Sequence, residues 1–153
     1  MAVVSAGLGA LAGPLHGGES GRAALLLADV GEHGVDAAVA RAMHLHGRVP
    51  GFGHRLYPDG DPRATAIIER VRSAVDDRHL EAYDTLVERI GPRHGHANCD
   101  LALAAFVTST RMDPTAGELI FTVARIAGWL AHAIEEYTEA PLRYRPRATY
   151  VGP

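Results

Sequence analysis

At 153 residues, with 47% hydrophobic and 22% charged residues and a formal net charge of −3, the chain is a globular domain large enough for a substantial core. It lacks the basic excess of a nucleic-acid binder, so no nucleic-acid partner is expected. All fifteen basic residues are arginine; composition bias accounts for that, and so does the use of a few planar guanidinium forks to grip carboxylates or phosphates.

The apolar spacing predicts helices nearly throughout and no sustained period-two alternation, hence an all-α protein. Residues 1–12 form a short apolar helix. With no basic n-region and with glycines inside it, this segment reads as neither a signal peptide nor a membrane span. Gly13-Pro14-Leu15-His16-Gly17-Gly18 breaks it, a turn where backbone can approach a ligand closely and the imidazole can present one N–H. Helices follow over residues 21–32 and 35–46, then a Gly- and Pro-rich loop over 48–60. Asp61 as N-cap with Pro62 in the first turn opens a helix that runs to about residue 76. Further helices are expected over 79–90 and 100–110, separated by a second glycine-rich loop over 91–98. Asp113-Pro114 repeats the cap-then-proline signal and starts the longest helix, about 115–138. The Pro- and Arg-rich tail from Ala140 is expected to be extended.

Several residues stand out from this pattern. Arg125 and Thr122 are the only polar side chains between Leu119 and Ala131. An arginine there needs either an anionic partner or a route to water along its own stem. Arg63 lies in the first turn of its helix, where free N–H groups and the dipole already favour an anion; a plain surface arginine fits equally. Arg145 sits in a basic tail, solvated or facing a partner subunit. His54 follows Gly51-Phe52-Gly53, a second place for close backbone approach. Asp100 stands at a helix N-terminus, either as a capping carboxylate or as a proton acceptor, and the dipole is expected to keep it ionised. His44-x-His46 and His94-x-His96 lack a third partner at metal spacing, so no metal is expected. Cys99 is alone, which rules out an internal disulfide and fits a cytoplasmic location. Gly7-Leu8-Gly9-Ala10-Leu11-Ala12-Gly13 has no preceding strand for a dinucleotide loop, and no nucleophile elbow supports a serine hydrolase.

Taken together, these segments resemble the C-terminal part of the citrate synthase family. The resemblance is carried by Gly13-Pro14-Leu15-His16-Gly17-Gly18, Val49-Pro50-Gly51-Phe52-Gly53-His54-Arg55-Leu56-Tyr57, Asp61-Pro62-Arg63 and Asn98-Cys99-Asp100. Phe121-Thr122-Val123-Ala124-Arg125-Ile126-Ala127-Gly128-Trp129-Leu130-Ala131-His132 and Arg145-Pro146-Arg147 complete it. Order and spacing match across essentially the whole chain. The resemblance implies a helical small domain over residues 1–110 and, over 111–153, a helix and tail belonging to the family's large domain.

The resemblance also implies roles. His16 would donate a hydrogen bond to the thioester carbonyl of acetyl-CoA, and Asp100 would remove the methyl proton. His54 would polarise and protonate the carbonyl of oxaloacetate. Arg63, Arg125 and Arg145 would hold carboxylates of oxaloacetate or citrate, the last reaching a neighbouring subunit. Val49, Pro50, Gly51, Phe52 and Gly53 would line the CoA site. Acetyl-CoA and CoA would be substrate and product, with no tightly bound cofactor. A member of the family is far longer than this chain, so the resemblance implies a homo-oligomer or a complex with an N-terminal citrate synthase half, and no membrane. An inactive CoA- or carboxylate-binding remnant or regulatory subunit, a 2-methylcitrate synthase and a citryl-CoA-cleaving relative are the alternatives. Glu19-Ser20 stands where Ala-Asn is usual in the family, and Ala97 where proline is common.

Overall fold

The computed structural model describes residues 1–12 and 18–140, with Thr149. The segment 13–17, which carries His16, and the tail that carries Arg145 lie outside the described residues. Among the described residues there are seven α-helices, no strand, and one isolated antiparallel bridge between Phe52 and Ala97.

Helix α6 (Cys99–Ser109) forms the centre. It is apolar on nearly every face, and Leu101, Ala102 and Ala104 are completely buried. A helix apolar all round needs neighbours on all sides. Helix α2 (Glu19–His33) covers one flank with Ala23, Ala24, Leu26, Leu27 and Val30, spaced three and four apart. Helix α4 (Pro62–Arg72) covers the other with Ala64, Ile68 and Val71. Outside α2 lie α3 (Val35–His46), through Ala38 and Ala42, and α5 (Glu81–His94), through Tyr83, Leu86 and Ile90. The same apolar core unites all of them.

Helices α1 (Ala2–Leu11) and α7 (Ala116–Glu136) form a second, thinner layer. Gly7 makes their approach possible: a Cβ there would lie 2.6 Å from the Trp129 ring. Helix α7 also meets α2 and α6, yet Gly117 is its one buried residue. By length and composition it matches a membrane-crossing helix, but it carries Arg125, a charge that is costly in a bilayer.

Most elements fall where the apolar periodicity places them. Helix α5 does not stop at Ile90; it continues through Gly91 and Pro92 to His94, so residues 91–94 are helix rather than loop. Pro92 withdraws only the N–H that the Glu88 carbonyl would have received, and Glu88 is exposed, so water can take that place. Helix α4 ends at Arg72, four residues short of the expected stop, and a 3₁₀ turn over Asp77–His79 leads into α5. Asp113 does not cap α7. It closes a turn two residues earlier, accepting from the Thr115 amide at 2.9 Å and hydroxyl at 2.6 Å, and Thr115 is the N-cap.

Candidate active site

The loop between α3 and α4 is fastened to the start of α6. The Gly53 amide donates to the His96 carbonyl at 2.8 Å and the Asn98 amide to the Gly51 carbonyl at 2.9 Å. The Asn98 side chain donates to the Gly53 carbonyl at 3.0 Å while its Oδ1 caps α6 at the Asp100 amide, also 3.0 Å. Gly51 is required here twice over: its φ is +84°, and a Cβ would sit 2.6 Å from the Leu101 Cβ. Five residues assigned to the CoA loop therefore divide. Val49, Pro50 and Gly51 are buried against the core, Phe52 is half-buried and Gly53 is exposed.

Asp61 is the anchor beneath the site. Its carboxylate is buried and accepts the Arg63 Nε at 2.9 Å and Nη2 at 2.8 Å, a bidentate pair. It also accepts the Arg63 amide, as an N-cap should, and the Cys99 amide at the head of α6, both at 3.0 Å. Burial alone would raise its carboxyl; these four donors outweigh that and hold it at about 2. The Arg63 guanidinium then reaches His54, with Nη2 3.0 Å from Nε2, and lies 5.3 Å over the Tyr57 ring. Tyr57 in turn stacks on His54 with ring centroids 4.9 Å apart. On the other side of the imidazole the Leu56 amide donates to Nδ1 at 3.2 Å. Both neighbours are donors, and a neutral imidazole accepts at only one nitrogen, so the two contacts are alternatives.

His54, Arg63, Asp100 and Arg125 come from four different parts of the chain and line one open cavity of about 480 Å³, a volume suited to small-molecule ligands. Glu19, Arg48, Asn98 and Cys99 share its main-body wall; Gly7, Ala10, Leu11, Phe121 and Trp129 close it from the α1–α7 layer. Arg125 makes no ion pair or hydrogen bond with another described side chain, and it lines this cavity from α7. His16 and Arg145 fall outside the described residues, though Leu11 and Glu19, on either side of segment 13–17, both line the cavity.

Asp100 departs from expectation. The helix dipole does not keep its carboxyl low: burial, and next the negative charge of Glu19, push it up to about 6, against the pull of Arg63. Asn98, not Asp100, provides the cap. A carboxylate poised there is suited to taking a proton near neutral pH. Cys99 beside it is no nucleophile, since burial and the Asp100 charge push its thiol up to about 12. Glu19, Asp61, Tyr57 and Trp129 were not singled out as site residues by sequence. The signal for Asp61 was present in its spacing, a cap two residues before an arginine; nothing local marked Glu19 as buried.

Comparison with known proteins shows the family of this chain. Residues 1–147 match the family described as citrate synthase, C-terminal domain, and the chain belongs to the citrate synthase family. It is 33% identical to citrate synthase 2 of Bacillus subtilis over 98% of its own length and 42% of the relative's. Against citrate synthase of Haloferax volcanii the identity is 35%, covering 97% of this chain and 41% of that one. The chain thus spans about two fifths of the length of these curated relatives. Among solved structures it superposes on citryl-CoA lyase from Hydrogenobacter thermophilus with a TM-score of 0.72 and 26% identity, covering 98% of this chain and 65% of that one. Citrate synthase from Thermoplasma acidophilum, solved as a ternary complex with carboxymethyl coenzyme A and oxaloacetate, gives a TM-score of 0.64 and 31% identity over 98% and 43% of the two chains.

Proposed function

We propose that this chain carries the proton-transfer and carboxylate-binding part of a citrate synthase-type site. In this reading acetyl-CoA and oxaloacetate condense to citrate and CoA when a complementary N-terminal half completes the site. The observation that supports it is the convergence of His54, Arg63, Asp100 and Arg125 on one cavity, with Asp100 raised to about 6. Asp100 takes a methyl proton from the thioester, and His16 donates to the thioester oxygen as negative charge develops there. The enol carbon attacks the keto carbonyl of oxaloacetate, to which His54 donates. Citryl-CoA is then hydrolysed. Arg63 and Arg125, with Arg145, bind the carboxylates as bidentate forks. Arrival of a substrate carboxylate at Arg63 draws its Nη2 from His54 Nε2 and frees that nitrogen for the carbonyl.

The test is CoA release from acetyl-CoA plus oxaloacetate, with the chain alone and with an N-terminal half. Asp100→Asn and His16→Ala are expected to lower turnover by about 10²–10⁴-fold. Turnover should fall as pH drops through about 6, because the base must be ionised. A folded chain that releases no CoA in either setting, yet binds CoA or citrate in calorimetry, would replace this reading with that of a binding remnant. The close superposition on a citryl-CoA lyase, of which this chain covers 65%, favours a second reading. The same groups would then run the carbon–carbon step backwards, splitting citryl-CoA into acetyl-CoA and oxaloacetate. Supplying citryl-CoA and assaying both products separates the two.

A further inference from the structure

Glu19 is the least expected member of the cavity wall. It is the first residue of α2, and it is only 7% exposed. Its Oε1 accepts the Gly51 amide at 3.3 Å, across 32 residues of sequence. Its Oε2 accepts Arg48 Nη2 at 2.8 Å and Arg22 Nη1 at 3.3 Å. Arg48 reaches in from a side chain that is 55% exposed, so the pair spans from solvent to the cavity floor. A buried carboxylate is retained at such cost only with this kind of multiple pairing. Glu19 and Asp100 line the same cavity from different helices.

We propose that Glu19 is a positioning residue of this site: it fixes the Gly51 turn through the backbone and holds a negative charge beside Asp100 that Arg48 partly offsets. The inference rests on the reading of Asp100 as the base, but its test needs no turnover. The charged groups facing Asp100 are Glu19 from α2, Arg48 from the loop, Asp61 and Arg63 at the start of α4, with Arg125 across the cavity on α7. Glu19 and Asp61 raise its carboxyl; Arg63 and Arg48 lower it. Two single substitutions therefore act with opposite signs.

The experiment is a carboxyl-carbon NMR titration of Asp100 in the intact chain, without substrate. Glu19→Gln keeps the shape and the acceptor for Gly51 but removes the charge, so the Asp100 midpoint should move down from about 6 towards the usual carboxylate range. Arg48→Gln, which leaves Glu19 its Gly51 and Arg22 partners, should move it up. Hydrogen exchange supplies the second readout. The Gly51 amide should keep its protection in Glu19→Gln and lose about tenfold in Glu19→Ala, the equivalent of one hydrogen bond. An Asp100 midpoint that stays at about 6 in both charge variants overturns the electrostatic role. Unchanged Gly51 exchange in Glu19→Ala overturns the anchoring role. A chain that passes both tests but never turns over leaves this inference standing and removes the catalytic one.

Discussion

Asp61 gathers four donors on one buried carboxylate, and its titration bears on the acid limit of the fold. Its folded carboxyl lies at about 2, below the ordinary 3.8. The sign follows: the stabilisation is complete above about pH 4 and is lost as pH falls through about 2, amounting to about 2 kcal/mol. Asp100 works the other way. Its carboxyl is raised to about 6, so its ionised form opposes folding at neutral pH, and that cost is relieved as pH falls from about 6 towards 4. Asp61→Asn is expected to cost about 2–3 kcal/mol at pH 7, since charged hydrogen bonds to Arg63 and Cys99 are lost. It should also flatten the decline in stability between about pH 4 and 2. Urea denaturation at a series of pH values checks both; an acid limb unchanged by the substitution would show that Asp61 is not its source.

At the scale of elements, two glycines decide whether helices and loops can meet. Gly51 holds the loop on Leu101 with a positive φ and no room for a side chain. Gly51→Ala adds backbone strain to a steric overlap and is expected to cost about 2–4 kcal/mol in thermal or chemical denaturation. Gly7 plays a different part. It lies in regular helix, where alanine is the better helix former, so Gly7→Ala should leave the main core intact. What it should do is push α1 off the Trp129 ring. Trp129 is the sole tryptophan, so its fluorescence reports the change directly as a red shift. An unshifted spectrum would mean that α1 and α7 re-seat around the added methyl. The apolar periodicity made α2, α3 and α6 legible to within two residues. It missed the continuation of α5 through Pro92, because a proline reads as a stop unless the carbonyl it leaves unpaired can reach water.

For the whole molecule, the outer layer is the least buried part. Leu119, Val123, Leu130, Ile134 and Tyr137 fall within one face of α7, and all are exposed, Val123 at 61% and Ile134 at 66%. An apolar face of this kind predicts association with a second copy or with a partner. Val123→Glu with Ile134→Glu should leave the melting temperature nearly unchanged, since exposed positions contribute within about 0.5 kcal/mol. The double variant should be monomeric in sedimentation velocity where the parent chain associates with rising concentration, and it should fail to be completed by an N-terminal half. A parent chain that stays monomeric at all concentrations would remove the self-association, and normal completion of the variant would move the partner surface elsewhere.

The sequence by itself determined the helical class, the family resemblance and four of the charged or titratable residues that line the cavity, because periodicity, caps and glycine turns are local. His54, Arg63, Asp100 and Arg125 were each legible beside their own turn or helix. Tertiary structure alone decided their company. It placed Asp61 under Arg63, set Arg63 against His54, and buried Glu19 within range of Asp100. That last step raised the carboxyl of Asp100 where its helix dipole alone would have lowered it. A helix dipole is a property of the sequence segment, whereas desolvation and a second carboxylate from another helix exist only once the chain has folded.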